Sequence, residues 1–353
     1  MIKRIYYSKL KVIEIKKKIL VSGLIVFLAF LVGCSNLQTP SSPKSPKDSI
    51  VEVLDGEIKA DIDGTKYLVD PNKIRGGGLG KGGIGFDSGI PALALNNIKF
   101  VTVEEADEWI EDNELVLALI HKGVKKVYPL QILVWHEIAN DVVAGDPLAV
   151  TYCPLCGSGI AYERKIEVNG ELTETRFGTS GKLYNSNLIM YDETTDTYWQ
   201  QIDGKAIVGP LVGQELKEIS VDTVTWKIWK TEHPDSQVLS QETGISRSYG
   251  RDPYGNYYEN SNLFFPVENE DRRIHAKTPI LGIEVNGEFK AYKREDIIGT
   301  IEDTIGNTNI KLEKSKDGRV TITNLSNNQE IVKEEDFWFA WYAFHPETDL
   351  YNG

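Results

Sequence analysis

With 353 residues, 41% of them hydrophobic and 26% charged, the chain has the composition of a globular protein. That length suits one large domain or two medium ones, and three cysteines exclude a disulfide framework. A formal net charge of −13 argues against nucleic acid as a partner, since an acidic surface repels phosphate backbones.

Seven Lys and Arg residues with one acid, Glu14, lead the chain, and an uncharged apolar run from Ile19 to Val32 follows. Fourteen residues suit the core of a signal peptide and fall short of the roughly 20 that a membrane span needs. The run closes on Leu31-Val32-Gly33-Cys34, which resembles the lipobox of secreted lipoproteins. In those proteins a lipid joins the cysteine and the leader is cut just before it. The expectation is a signal peptide over residues 1–33, lipidation of Cys34, and a protein held in the cell envelope by membrane lipid, facing outside the cytoplasm. The competing reading is an uncleaved anchor helix with an incidental cysteine, and it also puts the bulk of the chain outside. Removing a leader of net charge +6 from a chain of −13 leaves −19. Such a surface is repelled by anionic headgroups and stands off the membrane.

Residues 34–49 read as a flexible tether, because Asn36–Asp48 (NLQTPSSPKSPKD) is rich in Pro, Ser and Lys. A globular domain is expected over 50–353. Arg75–Gly89 (RGGGLGKGGIGFDSG) invites a phosphate-loop reading, but Arg75 stands where that loop needs Gly, and Gly82 where it needs Ser or Thr. No nucleotide is expected; the segment reads as a loop passing close over something. Two further motifs fail. Asn140 replaces the second histidine of the zinc-protease pattern begun by His136-Glu137, and Lys182 replaces the closing glycine of the nucleophile elbow begun at Gly178.

Short helices are predicted at Glu104–Trp109 and at Pro129–Ile138, the latter with Pro in its first position. Strands are predicted at Leu115–Ile120, Leu148–Tyr152, Ile160–Tyr162, Leu188–Tyr191 and Ile280–Val285, separated by Gly, Asn and Asp turns. The fold class is mainly β or α+β: antiparallel sheets with few short helices.

A faint internal repeat runs through these elements. VLALIHKGVKKVYPLQIL, from Val116, resembles PILGIEVNGEFKAYKREDI, from Pro279. Trp226, Trp229 and His233-Pro234 recur as Trp338, Trp341 and His345-Pro346. Two divergent units, about 114–240 and 278–350, are expected to share one globular body and one core. This duplication favours a core role for the tryptophans over a ligand groove. The expected alignment sets Thr321–Asn324 on Val150–Cys153, so the second unit lacks the cysteines. Tyr254, Tyr257 and Tyr258 read as an aromatic surface loop.

The most informative stretch is Val150–Gly159 (VTYCPLCGSG). Cysteines at this spacing can close a reversible disulfide, share a metal, or sit reduced as small apolar residues. Pro154 and Gly157 favour a tight turn that points both sulfurs to one side. GSGIAYER then reads as a strand, which excludes a thioredoxin fold but leaves thiol exchange open. Cys153 and Cys156 resemble one knuckle of a zinc ribbon whose partner knuckle is missing. With His136 they would make an open copper or zinc site. His136 and Glu137 sit in a helix apolar nearly all round, and buried groups of this kind are paired or bound to something. Tyr152 supports the same site from the strand.

The segments YPLQILVWHEIAND, VTYCPLCGSG, FGTSGKLYNSNLIMYD, WQQIDGKAIVGPL, HPDSQVLS and YGRDPYGNYY, in that order, resemble the family named domain of unknown function 3179. RGGG before the first helix and the terminal WYAFHPETDLY fit as well, so the likeness covers about residues 70–351. Some members resemble selenoproteins with selenocysteine in the cysteine motif. That implies redox chemistry at the positions matched here by Cys153 and Cys156.

Three readings follow, in order. The first is a lipid-anchored thiol redox protein with Cys153 and Cys156 as the exchange pair, His136 as a base or electrostatic tuner, and a thiol redox partner. The second is a copper- or zinc-binding protein using the same three residues. The third is a non-catalytic envelope binding module that recognises its ligand through aromatic loops.

Overall fold

Alternating apolar and polar residues broken by two-residue turns dominate the chain, and the computed structural model is correspondingly built of antiparallel sheets with four short α-helices among its described residues. Those are residues 50–54, 58–77 and 90–353. The expected leader, Cys34, the expected tether up to Ser49 and the glycine-rich residues 78–89 lie outside them. Among the described residues no helix is long and apolar enough to cross a membrane.

The two repeat units have the same topology. In the first, strands Leu115–His121 and Val124–Pro129 form a hairpin flanked by antiparallel Asp222–Thr225 and parallel Gln237–Leu239. In the second, Pro279–Val285 and Glu288–Lys293 are flanked in the same order by Lys333–Phe337 and Asp349–Leu350. Both hairpins turn on a two-residue loop at positive φ, Lys122-Gly123 and Asn286-Gly287, whose backbone twist matches that of the strands. Each outer strand leads into a seven-residue helix, Trp226–Glu232 or Trp338–Phe344.

Buried side chains repeat with the backbone. Tyr128 and Lys126 both meet Asp141 at 2.7 Å, and Tyr292 and Lys290 both meet Asp303 at 2.7 Å. Trp229 donates to Ser236 at 3.0 Å and Trp341 to Thr348 at 2.9 Å, while Trp226 and Trp338 donate to Asp107 and Asp271. All four indoles are fully buried, each with its N–H satisfied, which places them in the core.

Strand registers correct one expected alignment. The hairpin Ile138–Val143/Asp146–Cys153 pairs Asp141 with Leu148, and its counterpart Thr300–Ile305/Thr308–Lys314 pairs Asp303 with Ile310. Counting along from there sets Ser315 at the position of Cys153, so Thr321–Asn324 is not the counterpart of Val150–Cys153. The second unit turns through Ser315-Lys-Asp-Gly-Arg319, one residue shorter than the cysteine turn.

Between the two outer parts of the first unit lies a long insertion. Its strands Phe177–Tyr184 and Asn187–Asp192 are neighbours near one edge of an eight-stranded sheet. Phe177 and Trp199 from this insertion, Tyr257 from the connection between units and Phe339 from the second unit pack in one core cluster with both cysteines.

Candidate functional site

Cys153 ends the strand Asp146–Cys153, and the turn that follows returns the chain into the strand Ser158–Glu163. This strand bears out the exclusion of a thioredoxin fold. Within the turn the Cys156 N–H donates to the Cys153 carbonyl at 3.1 Å. Gly157 is required twice over: its φ is +62°, and a Cβ there would stand 2.8 Å from the Phe337 ring. The turn is also clamped from outside. Tyr257 Oη donates to the Leu155 carbonyl at 3.0 Å, and the Phe337 N–H to the Cys156 carbonyl at 2.7 Å. The Tyr254/Tyr257/Tyr258 loop, read as an aromatic surface loop, therefore packs Tyr257 as a brace over the cysteines. Lys277 Nζ pins that brace by donating to the carbonyls of Tyr257, Asn260 and Asn262 at 2.6–2.7 Å.

The two free thiols are 1% and 0% exposed and interact with each other. Their environments pull their proton affinities apart. Burial pushes Cys153 up, but hydrogen bonds from the Cys156 thiol and from the backbone N–H groups of Leu188, Cys156 and Leu155 outweigh it and leave Cys153 below the usual thiol value. Burial, followed by the Cys153 bond and charge, pushes Cys156 well above it. The Cys156 thiol also approaches the Ser186 carbonyl at 3.5 Å. The pair thus separates into a thiolate-favouring sulfur, Cys153, and a proton-holding one, Cys156.

His136 does not join them. Its Nδ1 lies 2.8 Å from the Pro91 carbonyl and its Nε2 2.6 Å from Tyr249 Oη. A carbonyl only accepts, so Nδ1 carries the proton and Nε2 accepts from the tyrosine. Burial lowers the ring's pKa to about 4 and keeps it neutral. Among the described residues no three His, Cys, Asp or Glu side chains come together as metal ligands, so the expected trio of Cys153, Cys156 and His136 is not assembled.

Glu137 is the residue of that segment that faces the cysteines. The helix spans Leu130–His136, and Glu137 caps it at φ +58°, so a helical wheel does not place its side chain. The Tyr152 N–H donates to the Glu137 carbonyl at 2.7 Å, tying this cap to the cysteine strand. Burial, then the charge on Cys153, raises the Glu137 carboxyl well above its ordinary value. Tyr152 and Tyr254 are pushed up by burial and by the charge on Cys153, with Glu137 adding to Tyr254. A mainly apolar cavity of about 300 Å³ opens here, lined by Glu137, Leu155, Thr179, Lys182, Leu188 and Tyr254 among others. Leu155 and Leu188, whose N–H groups reach Cys153, form part of its wall. Gly77 and Ile90, the flanks of the glycine-rich segment, line it too.

Behind the sulfurs lies a buried polar network that the sequence reading missed. Ser158 Oγ and Asn187 Nδ2 both donate to Gln201 Oε1, at 2.9 and 2.8 Å, and Gln201 Nε2 donates to Thr151 at 2.9 Å. A signal was available: Asn185, Ser186 and Asn187, then Gln200 and Gln201, interrupt otherwise apolar strand segments.

Comparison with known proteins places this site within a family. Residues 87–331 match the family model described as protein of unknown function (DUF3179). No curated protein and no solved structure matches the chain.

Proposed function

This chain belongs to that family of unknown function, and from that premise we propose a dithiol–disulfide redox protein, held at the cell envelope by a lipid on Cys34. The observation that carries the reading is the split between two touching sulfurs, with Cys153 favoured as thiolate by three backbone N–H groups and Cys156 kept protonated. A pair that is merely small and apolar needs no such donors.

In the reductive direction the Cys153 thiolate attacks one sulfur of a substrate disulfide and expels the other as thiolate. Cys156 then gives up its proton and attacks Cys153. The mixed disulfide breaks, the substrate leaves as its second thiolate, and the protein keeps a Cys153–Cys156 disulfide. The two electrons gained by the substrate come from the two thiols, and a thiol partner returns them. With both sulfurs buried, the reacting group enters through the cavity walled by Leu155 and Leu188. About 300 Å³ accepts a small molecule or one side chain, not a folded surface. Glu137, raised toward the protonated form, stands where a leaving thiolate needs a proton.

The test is equilibration in defined ratios of reduced to oxidised dithiothreitol, followed by acid quench, alkylation and mass measurement. A single transition that converts two alkylatable thiols to none is expected. Two thiols alkylated at every ratio would end the reading.

A further inference from the structure

We propose that Asp336 takes the proton from Cys156 when the dithiol closes, a role that rests on the exchange reading above. Asp336 belongs to the second unit, on the strand Lys333–Phe337 that packs against Ser158–Glu163, and the next residue's N–H donates to the Cys156 carbonyl at 2.7 Å. It is 2% exposed, and neither carboxyl oxygen has a hydrogen-bond partner. The Ser158 hydroxyl lies beside it and lowers its proton affinity, but is donated to Gln201. An acid buried this way costs stability unless it serves another purpose.

The duplicated fold supplies a control. Asp336 precedes the residue that caps the helix Trp338–Phe344, and Val224 holds that place before the helix Trp226–Glu232. Val224 pairs with Val116 as Asp336 pairs with Ile280. Val224 packs against Gly318 in the cysteine-free turn, where a Cβ would meet it at 3.2 Å. The fold therefore accepts an aliphatic side chain at this place. The acid occurs where the facing turn carries cysteines.

The surroundings hold a proton rather than a fixed charge. Besides Cys156, Asp336 interacts with Tyr162 on the facing strand Ser158–Glu163, with Glu335 and Glu334 on its own strand, and with Glu218 on the strand beside Ser158–Glu163. Lys333, the cation on that strand, is engaged with Asp222 at 3.1 Å. Burial, opposed by Ser158 and reinforced by Glu335, brings the Asp336 carboxyl to about 7. In the closing step the Cys156 S–H proton passes to the Asp336 carboxylate. The Cys156 thiolate forms the S–S bond to Cys153, and the bond from Cys153 to the substrate sulfur breaks.

The probe is 4,4′-dithiodipyridine, a small neutral disulfide, mixed rapidly with the reduced full-length protein carrying its lipid on Cys34. Attack by Cys153 releases one 4-thiopyridone, and closure by Cys156 releases a second. Asp336→Asn should leave the first phase unchanged and slow the second by about tenfold or more at pH 7. It should also remove the inflection near neutral pH from the second-phase rate, which Asp336→Glu should retain. Asp336→Val, the side chain present at the matching place, should behave like Asp336→Asn and serves if the amide variant does not fold. A second phase with unchanged rate and inflection in these variants overturns the role of Asp336 alone. A wild-type chain that gives no second phase sinks the exchange reading, and this proposal with it.

Discussion

The two repeat units carry the same fold around different chemistry. One turn, Cys153–Ser158, holds two thiols beneath Tyr257 and faces Asp336; the other, Ser315–Arg319, holds no sulfur and faces Val224. Around the second turn the charges are matched: Asp317 meets His233 and Arg319 at 2.8 Å, and Asp222 meets Lys333. Around the first, Glu334 and Asp336 keep carboxyl oxygens without partners. His233 Nδ1 and Arg294 Nη1, around the second turn, also lack partners, but among the described residues only Asp336, beside the thiols, has both carboxyl oxygens buried and unpaired. Pairing of that kind is structural, whereas a buried acid with neither oxygen paired is a candidate for proton transfer, the role proposed above for Asp336.

The largest expected effect breaks the symmetry outright. Cys153→Ser should abolish the redox transition, while Ser315→Ala at the matching position should leave it intact, as thiol trapping after equilibration would record.

The next effect is on pH dependence. Asp336 is raised from 3.8 to about 7, so the folded state keeps its proton over a range in which the unfolded chain has lost it. Its contribution is full below about pH 4 and is lost as pH rises through 7. Asp336→Asn should therefore stabilise the protein at pH 8, by about 4 kcal/mol, and change little at pH 4. Val224→Asn should show no such pH-dependent gain. His136, lowered from 6.5 to about 4, has the opposite sign: its contribution is present above pH 6.5 and fades as pH falls to 4. Denaturant melts of each variant at several pH values separate the two.

Backbone strain gives a smaller contrast. Gly157→Ala meets both a positive φ and the Phe337 ring at 2.8 Å, and should cost about 3 kcal/mol. Gly318→Ala also meets a positive φ, +86°, but the looser contact with Val224 at 3.2 Å, and should cost about 1–2 kcal/mol, measured by chemical denaturation. The smallest difference is expected in the core. Trp229→Phe and Trp341→Phe each remove the indole donor to a buried hydroxyl, on Ser236 and on Thr348, at about 1–3 kcal/mol; Thr348 keeps its bond to the Asp349 carbonyl at 3.2 Å. Because Thr348 retains that second bond, Trp341→Phe should cost the less of the two, by about 1 kcal/mol or under; a larger cost for Trp341→Phe would count against this reading.

Much of the fold was legible. The strand at Leu115–His121 was anticipated almost to its ends, since β-branched and aliphatic residues run up to a Lys-Gly turn. The helix predicted at Pro129–Ile138 forms over Leu130–His136, and the one at Glu104–Trp109 forms earlier, at Val103–Ala106, where Thr102 and Glu105 make a capping box. The site was only half legible. Cys153 and Cys156 announced themselves by spacing, but Glu137 rather than His136 lines the cavity beside them. A left-handed cap turned one toward the sulfurs, and the helix turned the other toward Pro91 and Tyr249.

What the amino-acid order determined by itself is local or periodic: strand alternation, turn residues, the duplicated Trp and His-Pro elements, and two cysteines on one turn. Tertiary structure alone decided what surrounds those sulfurs. The Leu188 N–H comes from the insertion, the Tyr257 brace from the connection between units, and Asp336 from the second unit. The reason is physical. Propensity and periodicity act between near neighbours, whereas a backbone donor has no side-chain signature, and an acid's proton affinity depends on burial set by segments far away in the chain.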